Sequence, residues 1–177
     1  MSLRVAVVYG STDGNTARVA STVQRLLQER FVLQVDLGDV CQTDLAALPG
    51  YDLVLLGSST WNWGDLQDDW STALAPFAAL DLQGVPIGFF GCGDGYCYSE
   101  TFGDALGILW EAAERAGAKL VGQVPAVGYA FSESRAVLDG QLIGVVLDED
   151  NEPELTAERL ERWLGALAHD LNLSALA

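Results

Sequence analysis

Three strand-end loops hold the residue types that can do chemistry in this chain. The first, Gly10-Ser11-Thr12-Asp13-Gly14-Asn15-Thr16, follows an apolar run and opens directly into a helix-patterned segment. Hydroxyls and backbone N–H groups at a helix N-terminus form an anion site, reinforced by the helix dipole. No lysine follows the second glycine, so the loop is not a Walker A motif, and the dinucleotide fingerprint lacks its third glycine. It suits a single terminal phosphate held by neutral donors. The second loop, Gly57-Ser58-Ser59-Thr60-Trp61-Asn62-Trp63-Gly64, sets two indoles beside Asn62. Such rings either fold back onto the core or await a flat partner, because their large apolar area is costly in water. The third runs from Gly91-Cys92-Gly93-Asp94-Gly95 through Tyr96-Cys97-Tyr98 to Phe102. Its glycines permit close approach of backbone to a ligand. A phosphate cradle and two aromatic loops at one sheet edge fit a flat phosphorylated ligand with rings on both faces, a description that flavin mononucleotide (FMN) meets.

The elements that must position these loops alternate between buried strands and amphipathic helices. Strands are expected over residues 3–9, 31–35, 51–56 and 85–90, with a fifth starting at 119–121. A helix after the first loop places Val19, Ala20, Val23, Leu26 and Leu27 on one face. Further helices are expected over 66–79, with Pro76 disturbing the last turn, and over 102–116, closed by Gly117. Residues 128–131, 136–138 and 141–147, with an Asp139-Gly140 turn, read as an antiparallel excursion interrupting or following strand five. Thr156 is the expected N-cap of a final helix with Leu160, Trp163, Leu164, Leu167 and Leu171 along one stripe. Alternation of this kind implies an α/β doubly wound parallel sheet covered on both faces, with its ligand at the carboxyl ends of the strands.

Composition narrows the class. At 177 residues the chain is expected to form one domain, residues 1–177, and half of its residues are hydrophobic. No segment has the length or purity of a membrane helix, and the N-terminus leads straight into a strand, so a cytoplasmic protein is expected. Cys41, Cys92 and Cys97 match no metal-ligand pattern, and His169 is the only histidine; reduced thiols are expected. The formal charge is −16, from 25 acids against nine bases. Nucleic acid is a poor partner for such a surface. The charge serves either as a solvated coat or to steer basic protein partners.

Taken in order, these motifs resemble those of flavodoxins over almost the whole chain. The Gly10 to Thr16 loop, Thr60-Trp61-Asn62 with the downstream Asp69-Trp70, Gly91 through Tyr98 and the segment from Asp104 to Leu109 carry the resemblance. The hairpin ending in Leu147-Asp148-Glu149-Asp150-Asn151 is similar to the insertion of long-chain flavodoxins. The resemblance implies a five-stranded sheet of order 2-1-3-4-5, with a hairpin insertion in strand five, and non-covalently bound FMN at its switch point. It implies that Ser11, Thr12, Gly14, Asn15 and Thr16 line the phosphate site, and that Trp61 and Tyr98 stack on opposite faces of the flavin. Asn62 would offer its backbone to flavin N5, Gly93 and Asp94 would meet the pyrimidine edge, and Asp150 would reach the ribityl chain. Asp13, Ser58, Ser59, Thr60, Trp63, Gly64 and Cys92 belong to the same loops and are counted with the site. Tyr96 is the alternative stacking ring.

Three departures stand out. Asp13 replaces a usual hydroxyl, Trp63 stands where an aliphatic residue is commoner, and Cys97 replaces a glycine. No nucleophile–base pair or carboxylate dyad is evident, so the chemistry falls to the cofactor. The implied function is a low-potential one-electron carrier, a monomer without substrate turnover of its own. Its partners would be basic-faced redox proteins, such as a ferredoxin/flavodoxin-NADP reductase and low-potential oxidoreductases. The alternative is an FMN-dependent NAD(P)H:quinone reductase, which needs open space above the flavin. A phospho-receiver module is set aside, because strand one ends Tyr9-Gly10 and strand three Gly57-Ser58, without the acids it needs.

Overall fold

Val5, Ala6, Val7 and Val8 are buried in succession, so the first strand is covered on both faces, as its lack of polar alternation requires. The computed structural model describes residues 2–175. In chain order its elements are β1 (Leu3–Gly10), α1 (Asn15–Arg30), β2 (Leu33–Asp39), β3 (Leu53–Trp61), β4 (Asp65–Leu66), α2 (Asp68–Ala78) and β5 (Pro86–Cys92). Then follow α3 (Asp104–Arg115), β6 (Lys119–Leu120), β7 (Val124–Pro125), β8 (Val137–Leu138), β9 (Gln141–Leu142), β10 (Gly144–Leu147) and α4 (Thr156–Leu171). The principal strands stand in the order β2-β1-β3-β5-β10, all parallel, which is the expected 2-1-3-4-5 arrangement.

Helices α2 and α3 pack together on one face, while Arg30 of α1 pairs with Glu161 of α4 on the other. The pleat of β5 shows how one strand serves both layers. Phe89 meets Trp110 of α3 edge-on with centroids 6.1 Å apart, and its neighbour Phe90 meets Trp163 of α4 at 6.0 Å. Across the sheet Gly57 makes room for Phe90, since a Cβ there would come within 2.2 Å of the ring. α1 buries Val19, Ala20, Val23 and Leu27, and α4 buries Leu160, Trp163, Leu164 and Leu167.

Beside β5, one strand position is filled by two pieces, since β6 and β10 both pair with it in parallel. Between them in the chain stands a small antiparallel sheet of order β7-β9-β8. Its tight turn has Asp139 at φ 52° and Gly140 at φ 79°, the two positive values a type I′ hairpin demands.

Several expected boundaries shift. β2 begins at Leu33 and runs to Asp39, because its outer half is paired residue for residue with β1 rather than set by local hydrophobicity. β3 continues through Ser58, Ser59 and Thr60 to Trp61, where it folds back antiparallel onto β4; Leu66, expected to be helical, is therefore strand. α3 starts at Asp104 rather than Phe102. Residues 128–131 form no strand: Tyr129 and Phe131 instead pack on Phe102, the latter stacked at 5.5 Å. Thr156 is the first helical residue, not the cap; Leu155 precedes it at the end of a short 3₁₀ turn, and the Thr156 hydroxyl bonds Glu149.

The β5–β10 contact admits a direct test. A Cβ at Gly144 would lie 1.9 Å from the carbonyl oxygen of Phe89, whereas one at Gly165 in α4 would meet nothing within 4 Å. Gly144→Ala is expected to lower stability by about 3 kcal/mol through overpacking. Gly165→Ala is expected to raise it by about 0.5–1 kcal/mol through helix propensity. Urea unfolding of the two variants checks both signs.

Candidate functional site

The loops after β1, β3, β5 and β10 converge at the carboxyl end of the parallel sheet, where the order of strand addition reverses between β1 and β3. They enclose a cleft of about 350 Å³ lined by residues of all four, within the range of about 300–1,000 Å³ usual for ligand sites.

The first loop is shaped for an anion. Gly14, at φ 90°, precedes α1 and makes no side-chain cap, so the first N–H groups of that helix have no partner within it. Ser11 Oγ accepts the Gly14 N–H at 3.2 Å and closes the loop. Thr16 is buried at the helix start, near the buried Cys92 thiol. Burial pushes that thiol up to about 12 against the lowering effect of Thr16, so Cys92 stays protonated.

The second wall is a hairpin tip. Trp61 O accepts the Gly64 N–H at 3.1 Å across a turn with Asn62 at φ 48° and Gly64 at φ 105°. A Cβ at Gly64 would lie 2.8 Å from Asp104 Oδ2, so the turn rests directly on the start of α3. Trp61 donates its indole N–H to Ser59 Oγ at 2.8 Å, and Asn62 Nδ2 donates to Asp65 at 3.0 Å. Thr60 Oγ1 accepts the Ala105 N–H at 3.2 Å, substituting for the side-chain cap that α3 lacks. Burial raises the Asp104 carboxyl above its usual range, although the Arg135 N–H, donated at 2.7 Å, opposes the shift.

The third and fourth loops hold each other. Asp148, almost fully buried, accepts the Gly95 N–H at 2.8 Å and the Asn151 N–H at 2.9 Å. Asn151 Nδ2 also donates to Asp94 Oδ1 at 3.0 Å, and the same oxygen takes the N–H groups of Tyr96 and Cys97. Burial alone would raise the Asp94 carboxyl; these donors outweigh it and hold Asp94 below the usual carboxylate range.

The structure brings Ser11, Thr12, Asp13, Asn15, Thr16, Ser59, Thr60, Trp61, Asn62, Cys92, Gly93, Asp94, Tyr98 and Asp150 to the cleft lining. Gly14, Ser58, Trp63, Gly64 and Tyr96 lie outside it. Gly14 and Gly64 serve through backbone geometry and Ser58 is buried beneath, bonded to Ser59 O, whereas Tyr96 points into solvent at 84% exposure. Glu149 lines the cleft and was not foreseen; it follows Asp148 in the acidic run where only Asp150 was singled out. Gln67 and Asp148 were also missed. Gln67 accepts the N–H groups of Asp69 and Trp70 and reaches Thr12 Oγ1 at 3.4 Å, joining the first loop to α2. Nothing in their sequence context separates these two from surface polar residues.

Among the described residues no group of three metal-ligating side chains is present, and no helix is long and apolar enough to cross a membrane. An uncapped helix start, two aromatic rings on the lining and a cleft of this size fit a flat ligand bearing one phosphate.

Known proteins share both sequence and architecture. A family model described as flavodoxin matches residues 7–163. The flavodoxin of Picosynechococcus sp. is 40% identical over 164 residues, covering 93% of this chain and 95% of that protein. Flavodoxin 1 of Escherichia coli is 36% identical over 171 residues, 96% of each chain. A crystal structure of Fusobacterium nucleatum flavodoxin bound to flavin mononucleotide superposes with a TM-score of 0.87 at 21% identity, covering 95% of this chain and 98% of that one.

The three cysteines are free, with Cys41 and Cys97 exposed and Cys92 buried. Thiol counting with a disulfide reagent at pH 8 is expected to find Cys41 and Cys97 reactive in the folded protein, and Cys92 only after denaturation. Rapid reaction of all three would show that the cleft floor opens in solution.

Proposed function

The chain belongs to the flavodoxin family, and we propose that its cleft binds FMN between Trp61 and Tyr98 with the phosphate at the start of α1. It is an electron carrier, not an enzyme with a substrate of its own. The bound flavin supplies one-electron chemistry; the protein binds it, orients it and sets the energy of the added electron.

Ser11, Thr12, Asn15 and Thr16 surround the phosphate with hydroxyl, amide and backbone donors, which suit a dianion without contributing a cation of their own. Trp61 and Tyr98 cover the ring system and exclude water from it. The backbone of Asn62, held at positive φ by the Trp61–Gly64 turn, is offered to flavin N5. Gly93 and Asp94 take the pyrimidine edge, and Asp150 takes the ribityl chain. Asp13, Asp94, Glu149 and Asp150 set carboxylates around the cleft. Their field raises the cost of placing an electron there and so makes the carrier a low-potential one.

The net charge of −16 complements basic redox proteins, such as a ferredoxin/flavodoxin-NADP reductase and low-potential acceptors, and brings them to a monomer folded as one FMN-binding domain. A cytoplasmic place suits three cysteines that remain unpaired.

The observation that carries this assignment is the presence of Trp61 and Tyr98 on one cleft that also reaches the uncapped start of α1. Trp61→Ala is expected to weaken FMN binding about tenfold or more, from lost stacking and burial, and to shift the midpoint potentials. Unchanged affinity and potentials would falsify the stacking role. Electron transfer from a basic-faced reductase is expected to slow as ionic strength rises past 0.1 M, where the Debye length is about 10 Å. A rate indifferent to salt would rule out steering by the acidic surface.

A further inference from the structure

Trp63 is an aromatic side chain beside the cleft that FMN binding leaves without a task, and unlike the outward-pointing Tyr96 it touches a ring of the lining. It stands at the hairpin tip, 75% exposed, and is not part of the cleft lining. So exposed an indole adds little to the core. Its ring nevertheless meets Tyr98 edge-to-face, with centroids 5.7 Å apart and planes at 78°.

Tyr98 needs such a neighbour. Its backbone is fixed, with its N–H on Asp94 O and its carbonyl accepting from Thr101, both at 3.1 Å. Its ring lines the cleft yet is 39% exposed, and no hydrogen bond holds its hydroxyl among the described residues. A ring free to leave its rotamer must be ordered again whenever a ligand binds, which lowers affinity. An edge-to-face partner removes part of that penalty in advance, because the ring quadrupoles favour this arrangement. The contact also joins two loops of separate origin, the β3–β4 turn and the loop after β5, across the mouth of the cleft.

We propose that Trp63 is a positioning residue for the cofactor: it acts through Tyr98, holding that ring against the cleft so that it is ready to cover the flavin. Trp63 has this role only if Tyr98 covers the flavin, as assigned above. Parting the Trp63–Tyr98 contact then accompanies release, so the effect falls mainly on the dissociation rate.

The test measures FMN affinity and dissociation rate by flavin fluorescence for the full chain and for Trp63→Leu, Trp63→Phe, Tyr98→Ala and the Trp63→Leu/Tyr98→Ala double variant. Trp63→Leu keeps an apolar side chain without the ring and is expected to weaken FMN about three- to tenfold, as an aromatic pair implies. Trp63→Phe restores an edge and recovers most of the loss. In the Tyr98→Ala background, Trp63→Leu causes no further loss, the non-additivity that marks action through a shared partner. The unfolding midpoint of the cofactor-free protein stays at the parent value in both Trp63 variants, which separates the effect from a folding defect. Wild-type affinity in Trp63→Leu overturns the proposal, and so does an equal loss with and without Tyr98, which would place Trp63 on the flavin itself. Tyr98→Ala binding FMN as tightly as the parent would instead overturn the stacking assignment beneath it.

Discussion

The buried carboxylate of Asp148 is the contact on which the cleft's third and fourth walls depend. A parallel sheet holds its strands firmly, but the loops at the carboxyl ends lie outside the ladder and must satisfy their own backbone groups. Asp148 does this for two loops at once, taking the Gly95 N–H from one and the Asn151 N–H from its own. Asn151 passes the link on to Asp94, whose carboxylate gathers the Tyr96 and Cys97 N–H groups. The aromatic loop is therefore shaped by protein contacts before any ligand arrives, and Tyr98 follows directly from that shape.

The same economy governs the other walls, with one exception. Thr60 caps α3, Gln67 caps α2 and ties it to Thr12, and Gly64 lets the hairpin tip sit on Asp104. Only at the start of α1 does the cleft present helix N–H groups without a side-chain cap. An anion is attracted there by the helix dipole and by donors already aimed at it. The surrounding carboxylates act against that attraction, so an anion at this helix start would be held by short-range hydrogen bonds in an unfavourable long-range field.

The tryptophans beneath the loops and the rings at the cleft differ in depth. Trp70 and Trp163 are fully buried, the first donating its indole N–H to Gly57 O at 2.7 Å, and they lock the helices to the sheet beneath the loops. Trp61, Trp63 and Tyr98 remain at the rim, where a flat ligand or a partner can meet them. The closely packed rings below support the loops that carry the rim rings above.

The sequence by itself determined the class of fold, the strand order through its resemblance, and most of the cleft lining. Buried strands appear as unbroken apolar runs, helices as stripes, and a phosphate loop as glycines and hydroxyls at a helix start; all are local patterns. What escaped was non-local. That β3 runs on to Trp61 and turns back through β4 depends on pairing of Thr60 with Leu66 and Trp61 with Asp65. That Asp148 and Gln67 are buried keystones depends on partners up to 55 residues away. The outward turn of Tyr96 and the inward turn of Tyr98 depend on how Asp94 folds the loop between them. A polar residue looks the same in sequence whether it faces water or satisfies a buried backbone, and only the tertiary structure, which brings the donors to it, decides which it does.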